Sequence, residues 1–237
     1  MQIRKAVFPV AGMGTRLLPA TKAQPKEMLP VGYKPVVQYV VEEMIAQSLD
    51  RFLFITGRKK RSIEDHFDDD PELAAHLVDK SIGEVDYEAE GVEFYYARQR
   101  RPLGNADAVR MAREFVGDES FVVAFGDTII HSPEMPGVVE RMIQSHVEHG
   151  AAATIGVWEV PREEASGDFA IADIVEKPAV EDAPSCLAVA ARYVFTPEIF
   201  DAIDAIKPGI GGELWLTDAI RILLQRGAKV RCVRLKP

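Results

Sequence analysis

The sequence predicts an α/β fold built on a mainly parallel sheet. Residues 52–56 and 121–125 are short, continuous apolar runs, which is the composition of strands buried on both faces. Residues 35–48, which precede the first of these runs, repeat apolar side chains at helical spacing. Because helices and buried strands alternate along 237 residues, we expect a single domain made of right-handed βαβ units.

The remaining segments continue this alternation. The further predicted strands are residues 6–10, 92–97, 151–160, 187–195 and 230–235. The further predicted helices are residues 71–84, 106–115, 136–149, 197–206 and 217–226. We expect Trp158 to belong to the core. We expect His146 and His149 to form a surface pair, because no third metal ligand accompanies them.

Composition narrows the range of functions. A formal net charge of −9 argues against nucleic acid as a partner, because phosphate backbones attract basic surfaces. Cys186 and Cys232 do not make a disulfide framework. No signal peptide precedes Ile3 and no apolar run is long enough to span a membrane. The expected location is therefore a reducing cytoplasm, away from any membrane.

The most informative stretch is the loop after the first strand, which reads GMGTR from Gly12. Gly12 and Gly14 let the backbone approach an anion closely, with N–H groups pointing at it. Arg16 supplies a planar fork of donors for phosphate oxygens, and Lys26 supplies a compact positive charge. Prolines spaced along the loop hold these donors in place. These residues predict a polyphosphate site at the carboxyl end of the first strand.

Two other glycine-rich motifs do not fit this loop. A dinucleotide-binding fingerprint requires a third glycine where Leu17 stands, which disfavours a dinucleotide-dependent oxidoreductase. A P-loop requires Gly-Lys-Ser/Thr at the end of its glycine run, whereas Gly14 is followed by Thr15 and Arg16. A glycine turn with incidental surface charge remains the alternative.

The run GMGTRLLPATKAQPKEMLPV closely resembles the nucleotide-binding signature of sugar-1-phosphate nucleotidylyltransferases. Its KEMLP ending is similar to that of the bacterial UTP–glucose-1-phosphate uridylyltransferases. The resemblance continues through ITGRKKRSIEDHFD, RQRRPLGNADAV, IVEKP and GGELWLTDAI. It implies a three-layer Rossmann-like nucleotidyltransferase fold with a mainly parallel central mixed sheet. The nucleotide-binding half is expected at about residues 1–130 and the sugar-binding half at about residues 131–237.

The resemblance also implies a role for each residue that matches the family. The implied nucleotide-binding residues are Ala11, Gly12, Gly14, Thr15, Glu27, Gln99 and Gly104. The residues implied to bind the sugar phosphate are Gly167, Glu176, Lys177 and Glu213. The implied catalytic residues are Arg16, Lys26 and Lys177, and Asp127 is implied to hold Mg²⁺.

The residue types are compatible with these roles and with plainer ones. Gln99 can donate and accept hydrogen bonds, as an imide base requires, but a simple strand-to-helix turn fits its segment equally well. Asp127 follows a buried strand, where open α/β sheets bind ligands, but aspartate is also a common turn former. Glu176 and Lys177 suit a sugar hydroxyl and a phosphate, or an exposed ion pair. The basic run 58–61 is expected to be a solvated helix start, with phosphate contact as the alternative.

The implied reaction transfers a uridylyl group from UTP to glucose 1-phosphate and releases pyrophosphate, in a homodimer or homotetramer. A dTTP-dependent thymidylyltransferase and a catalytically weak regulatory paralogue are the alternatives. The sequence departs from the family in a shorter hairpin between residues 160 and 174 and in lacking an Asp-Gly turn and C-terminal helix after the last strand. Truncation, missing disordered segments and an impaired paralogue each account for this. Missing segments are favoured, because termini and active-site loops lose order first.

Overall fold

The structure is a computed structural model that describes residues 2–78, 91–132, 135–159, 169–170, 173–176 and 186–235. Its strands are β1 (Lys5–Pro9), β2 (Pro30–Val31), β3 (Lys34–Pro35), β4 (Arg51–Thr56), β5 (Glu93–Arg98), β6 (Phe121–Ala124), β7 (Ala153–Glu159), β8 (Phe169–Ala170), β9 (Asp173–Ile174), β10 (Leu187–Phe195) and β11 (Val230–Arg234). Its α-helices are α1 (Val36–Ala46), α2 (Arg61–Phe67), α3 (Pro71–Val78), α4 (Asn105–Arg110), α5 (Arg113–Val116), α6 (Val138–His149), α7 (Glu198–Ala205) and α8 (Leu216–Gln225).

Seven of these strands form one mixed sheet in the order β11-β7-β10-β6-β1-β4-β5. β1 pairs in parallel with β4 and β6, β4 with β5, and β7 with β11. β10 runs antiparallel to both of its neighbours, β6 and β7. The mainly parallel mixed sheet that the resemblance implied is therefore confirmed.

Helices cover both faces of the sheet and make a three-layer arrangement. Val7 of β1 faces a core that α4, α7 and α8 complete on one side. Ala6 and Phe8 face a second core, which contains buried side chains of α1, α2 and α6. Because successive side chains of a strand point to opposite faces, a strand covered on both sides must be apolar throughout. The continuous apolar runs in the sequence are the result.

The order of the strands determines where a crevice opens. From β1 the chain moves outward to β4 and β5, and it then returns to add β6 on the other side of β1. The loops that leave β1 and β6 consequently diverge at the carboxyl edge of the sheet. A reversal of this kind in an open α/β sheet is where ligands bind.

Some local predictions were wrong. The helix predicted at 106–115 is two short helices, α4 and α5, separated by a turn. Trp158 is 46% exposed, because the last two residues of β7 lie beyond its buried portion. His146 is buried against β7, with Nδ1 3.2 Å from the hydroxyl oxygen of Thr154, and this burial lowers the pKa of its imidazole to about 4. The histidines therefore do not form a surface pair.

The described residues do not include a helix with both the length and the apolar character needed to cross a membrane. Within the same part of the chain, both cysteines are free.

Candidate active site

The loop that follows β1 presents a row of unused backbone donors. The N–H of Val10 donates to the carbonyl of Ile55 at 3.0 Å and is the last to join the sheet. The N–H groups of residues 11–16 then donate to no acceptor in the described part of the chain. Gly14 turns the backbone with a φ of 66°, and the Thr21 hydroxyl holds the turn by donating to the Gly14 carbonyl at 2.7 Å. Such a row of free donors is suited to an anion.

Two glycines outside the loop let it pass close to the neighbouring strands. A Cβ added to Gly57, just after β4, would lie 2.8 Å from the carbonyl oxygen of Ala11. A Cβ added to Gly126, just after β6, would lie 2.7 Å from a methyl carbon of Val10 and 3.5 Å from Cγ of Glu27. Any side chain at either position would push the loop outward. Sequence reasoning missed both residues, although each follows a buried strand directly, which was the available signal.

Lys26 and Asp127 meet at the mouth of this crevice. Lys26 Nζ lies 2.5 Å from Asp127 Oδ2, with 24% and 31% of the two side chains exposed. The ammonium also lies over the loop, since a Cβ added to Gly12 would be 3.6 Å from Nζ. Burial by itself would raise the pKa of Asp127, but the charge and hydrogen bond of Lys26 outweigh it and lower that pKa. A positive and a negative group are thus both held at the mouth of the crevice.

Glu27, the next residue, points the other way. Its carboxylate is 1% exposed and accepts a 2.6 Å hydrogen bond from Lys60, which is 5% exposed. Burial raises the pKa of Glu27 and lowers the pKa of Lys60, each opposed by the charge of the partner. We expected Glu27 to contact the nucleotide. Its carboxylate cannot make that contact directly, because it is paired with Lys60 beneath the loop. Glu27 instead ties the loop to the residue that precedes α2.

A fully buried arginine supports the loop after β6. Arg192, on β10, is 0% exposed. It donates to the carboxylate of Glu43 at 2.7 Å and to the carbonyl of Thr128 at 2.8 Å. Because Thr128 follows Asp127 directly, this contact holds the backbone that carries the aspartate. Sequence reasoning did not identify Arg192, whose position inside an apolar strand carries no sign of its partners.

Gln99 also lines the crevice and follows β5, which lies two strands away from β1 in the sheet. Its amide nitrogen donates to Asp107 Oδ2 at 2.7 Å and to the carbonyl of Gly104 at 3.2 Å. Gly104 has a φ of 109°, and an added Cβ would clash with the backbone of Leu214. Glycine is therefore required here by packing on Leu214, a reason that the sequence did not reveal. The N–H of Gly104 donates to no acceptor among the described residues.

The segment before α8 closes the crevice from the side. The N–H of Leu214 donates to the carbonyl of Leu103 at 2.7 Å, and the Leu214 carbonyl accepts from the N–H of Ala106 at 3.0 Å. These two bonds attach the segment to the loop that bears Gln99. They leave Glu213 and Trp215, on either side of Leu214, lining the crevice.

Together these parts enclose a cleft of about 560 Å³, a size typical of small-molecule sites. The predicted site residues that line it are Ala11, Gly12, Gly14, Thr15, Arg16, Lys26, Gln99, Gly104, Asp127 and Glu213. Free N–H groups, a guanidinium and an ammonium belong to the segment after β1, and an amide and a backbone donor follow β5, which lies two strands away in the sheet. An elongated ligand with an anionic tail and a polar head matches this arrangement.

Comparison with known proteins decides the family. The sequence model described as Nucleotidyl transferase matches residues 5–236. The chain belongs to the nucleotidyl transferase family. A Bacillus subtilis relative named UTP–glucose-1-phosphate uridylyltransferase is 42% identical over 94% of this chain and 80% of its own length.

Solved structures agree with this placement. A structure titled UDP-glucose pyrophosphorylase complexed with UDP-glucose matches with a TM-score of 0.85 and 36% identity, over 99% of this chain and 92% of that one. A UTP-bound UGPase from Acinetobacter baumannii matches with a TM-score of 0.86 and 33% identity, over 99% of this chain and 87% of that one. The three-layer fold is therefore that of a nucleotidyl transferase.

Two predicted sugar-phosphate residues of this nucleotidyl transferase, Gly167 and Lys177, lie outside the described residues. Glu176 is described and follows β9 closely. Its carboxylate accepts a 2.8 Å hydrogen bond from the hydroxyl of Thr217 in the first turn of α8. Burial, together with the charge of Glu176, raises the pKa of Tyr193. Glu176 is thus anchored to the helix whose preceding segment lines the cleft.

Asp127 is the residue of this cleft that suits a divalent metal. No group of three or more histidine, cysteine, aspartate or glutamate side chains gathers into a metal site within the described ranges. A carboxylate beside a loop of free N–H donors fits Mg²⁺, which is commonly held by one or two carboxylates and by substrate phosphates. It does not fit Zn²⁺, which requires three or four protein ligands.

Proposed function

We propose that this protein transfers a uridylyl group from UTP to glucose 1-phosphate, giving UDP-glucose and pyrophosphate. One observation carries the proposal: a single cleft holds the free N–H groups of residues 11–16, the charges of Arg16 and Lys26, and the amide of Gln99. A nucleoside triphosphate has the matching shape, with a charged tail and a polar base. The names of the relatives supply the identity of the nucleotide and the sugar.

In the proposed reaction, a phosphate oxygen of glucose 1-phosphate attacks the α-phosphorus of UTP. The new P–O bond forms as the bond to the β-phosphate oxygen breaks, so pyrophosphate leaves with that electron pair. This displacement needs no covalent enzyme intermediate, and catalysis comes from positioning and charge stabilisation. Arg16 and Lys26 stabilise the charge on the α-phosphate and the leaving pyrophosphate. The backbone of residues 11–15 holds the triphosphate.

The sugar phosphate is proposed to enter from the other side of the cleft. Lys177 neutralises its phosphate, which UTP would otherwise repel. Glu176 and Glu213 accept hydrogen bonds from sugar hydroxyls, and Gly167 lets the sugar lie close to the backbone. Glu213 lines the cleft, and its segment is hydrogen-bonded to the loop that bears Gln99. This connection aligns the sugar phosphate with the nucleotide.

Asp127 is proposed to hold Mg²⁺. The bound metal would neutralise phosphate charge and polarise the P–O bonds. In the structure the carboxylate is 31% exposed, its pKa is lowered and it is paired with Lys26, so its charge is compensated until substrates arrive. Lys26 then turns its ammonium from the carboxylate to the phosphates. We further propose that the protein works as a homodimer or homotetramer.

A thymidylyltransferase is a second candidate, because uracil and thymine present the same N3–H to Gln99. The discriminating experiment mixes the protein with glucose 1-phosphate and Mg²⁺ and measures pyrophosphate release with UTP, dTTP, CTP and GTP. We expect UTP to give the highest kcat/KM. Omitting the sugar phosphate controls for simple hydrolysis of the nucleotide. Absence of sugar-dependent pyrophosphate release with UTP would refute the proposal, and faster release with dTTP would favour the second candidate.

A further inference from the structure

The amide of Gln99 is enclosed by two groups that only accept hydrogen bonds. Asp107 Oδ2 lies 2.7 Å from the amide nitrogen and the Gly104 carbonyl oxygen lies 3.2 Å from it. The side chains of Gln99 and Asp107 are both nearly buried, at 6% and 5% exposure. Water therefore has little room to replace either contact.

This enclosure determines which end of the amide faces the two acceptors. A carboxylate and a backbone carbonyl both lack a proton to donate, so the NH₂ group must point at them. Rotating the amide by half a turn would bring its oxygen against both oxygens. It would also leave buried polar atoms without partners, which destabilises that orientation.

The amide oxygen of Gln99 is the atom left over. It accepts no hydrogen bond from the described part of the chain, and it is not among the buried polar atoms that lack a partner. Gln99 lines both the cleft and a second pocket, which Asp107 and Arg110 also line. Because the amide nitrogen is directed at Asp107, the amide oxygen is the part that we assign to the cleft. Gln99 thus presents a hydrogen-bond acceptor to the cleft, while its NH₂ donors are bonded to Asp107 and to the Gly104 carbonyl.

We propose that Asp107 is a specificity-determining positioning residue, which locks the Gln99 amide so that the cleft accepts bases with an N–H at the ring position facing it and rejects cytosine. The inference rests on the proposed nucleotide site. Uracil and thymine carry a proton on N3 and donate it to the amide oxygen. Cytosine carries a lone pair on N3, which would face that oxygen with no proton between them.

The two carboxylate oxygens of Asp107 have different partners. Oδ2 accepts from Gln99, while Oδ1 pairs with Arg110 on the exposed side of α4. The guanidinium therefore holds the carboxylate from behind and leaves its inner oxygen for the amide. An asparagine in this place has the same shape but presents either an oxygen or an NH₂ group, so it tolerates both orientations of Gln99.

The test compares Asp107→Asn with the wild-type protein by measuring kcat/KM for pyrophosphate release with UTP and with CTP, in the presence of glucose 1-phosphate and Mg²⁺. We expect the UTP-to-CTP ratio to fall about 10- to 100-fold in the variant, which corresponds to the loss of one or two buried hydrogen-bond preferences. Both substrates are measured on one preparation, so a reduced fraction of folded enzyme cancels in the ratio. An unchanged ratio would overturn the inference.

Glu114→Gln is the matched control, because Glu114 is an exposed carboxylate in α5 that does not line the cleft and its loss changes the net charge equally. It should keep the wild-type ratio. A fall in Glu114→Gln as large as that in Asp107→Asn would also overturn the inference, since net charge would then explain the effect.

The inference and the proposed function fail in different ways. If the wild-type protein releases no pyrophosphate with any nucleotide, the proposed function is wrong. Calorimetric titration with UDP and CDP then measures base preference without turnover. Wild-type protein that prefers UDP, with a 10-fold or greater loss of that preference in Asp107→Asn, would support the role of Asp107. Equal preferences in the two proteins would exclude it.

Discussion

Lys26 and Glu27 are neighbours in the chain, yet their ion pairs lie in contrasting environments. Lys26 reaches Asp127 at the mouth of the cleft, where 24% and 31% of the two side chains are exposed. Glu27 reaches Lys60 beneath the loop, where 1% and 5% are exposed. A short 3-10 turn at Lys26–Met28 turns the two side chains in opposite directions. One residue faces the ligand and the next faces the core.

The contrast separates an exchangeable contact from a permanent one. The Lys26–Asp127 pair is reached by solvent, so a phosphate or a metal ion can take over either partner at little cost. The Glu27–Lys60 pair has lost its hydration, and removing either partner would leave a charge with no compensation. The permanent pair thus holds the loop at the position from which the exchangeable pair meets the substrate.

The largest effect is expected from Asp127→Asn, which breaks the exchangeable pair on the metal side. The amide retains the shape of the carboxylate but lacks the charge that Mg²⁺ requires. We expect metal-dependent turnover to be abolished while the thermal unfolding midpoint stays close to that of the wild type. Pyrophosphate release titrated with Mg²⁺ measures it. Asp118→Asn, at an exposed aspartate that does not line the cleft, is the control. Wild-type turnover in Asp127→Asn would remove this residue from the mechanism.

The next largest effect is expected from Lys60→Met, which breaks the permanent pair. Glu27 would be left as a buried carboxylate without a partner, and such a loss typically costs about 3–5 kcal/mol of unfolding free energy. Urea unfolding at neutral pH measures it. Lys59→Met, at the exposed neighbouring lysine, should change the unfolding free energy by less than about 0.5 kcal/mol.

A double variant sharpens the same point. Glu27→Gln combined with Lys60→Met removes both charges, so we expect it to recover most of the stability that Lys60→Met loses. If Lys60→Met costs less than about 1 kcal/mol, the pair does not hold the loop, because one surface contact is worth as much.

Lys26→Ala removes the positive partner of the exchangeable pair. A contact made to charge in the transition state is worth about 3–4 kcal/mol, so kcat should fall about 100- to 1,000-fold. Stability should change little, in contrast to Lys60→Met. Steady-state pyrophosphate release measures kcat. Lys22→Ala, at an exposed lysine of the same loop that does not line the cleft, should remain close to the wild type. Near-normal kcat in Lys26→Ala would reject its catalytic role.

The sequence predicted the fold and the cleft because their signals are local. A continuous apolar run predicts a buried strand, and the loop GMGTR follows such a run directly. Since parallel strands end at one edge of a sheet, residues placed after β1, β5 and β6 had to approach one another. The predicted positions of Arg16, Gln99 and Asp127 in one cleft follow from this rule.

The supporting contacts were not predictable, because their partners are distant in the chain. Lys60 belongs to a basic run that resembles a solvated helix start, and only the fold brings Glu27 to it from 33 residues away. Arg192 meets Glu43 and Thr128 across 149 and 64 residues. Nor does sequence reveal that Asp107 accepts from Gln99, since an aspartate on a helix is ordinarily solvated. The residues that line the cleft can be predicted from the sequence. The contacts that position these residues are seen only in the structure.

The smallest expected effect distinguishes the two pairs by pH. The pKa of Asp127 lies below its ordinary value of 3.8, so its pairing adds stability that is present above that value and is lost as pH falls through the lowered pKa. The advantage of the wild type over Asp127→Asn, at most about 1 kcal/mol for a partly exposed pair, should therefore shrink below about pH 4. Burial raises the pKa of Glu27, so the advantage of the wild type over Glu27→Gln should instead grow as pH falls toward the ordinary value of 4.5. Urea unfolding between about pH 3 and pH 7 measures both differences, and slopes of the same sign would contradict the contrast between an open and a buried pair.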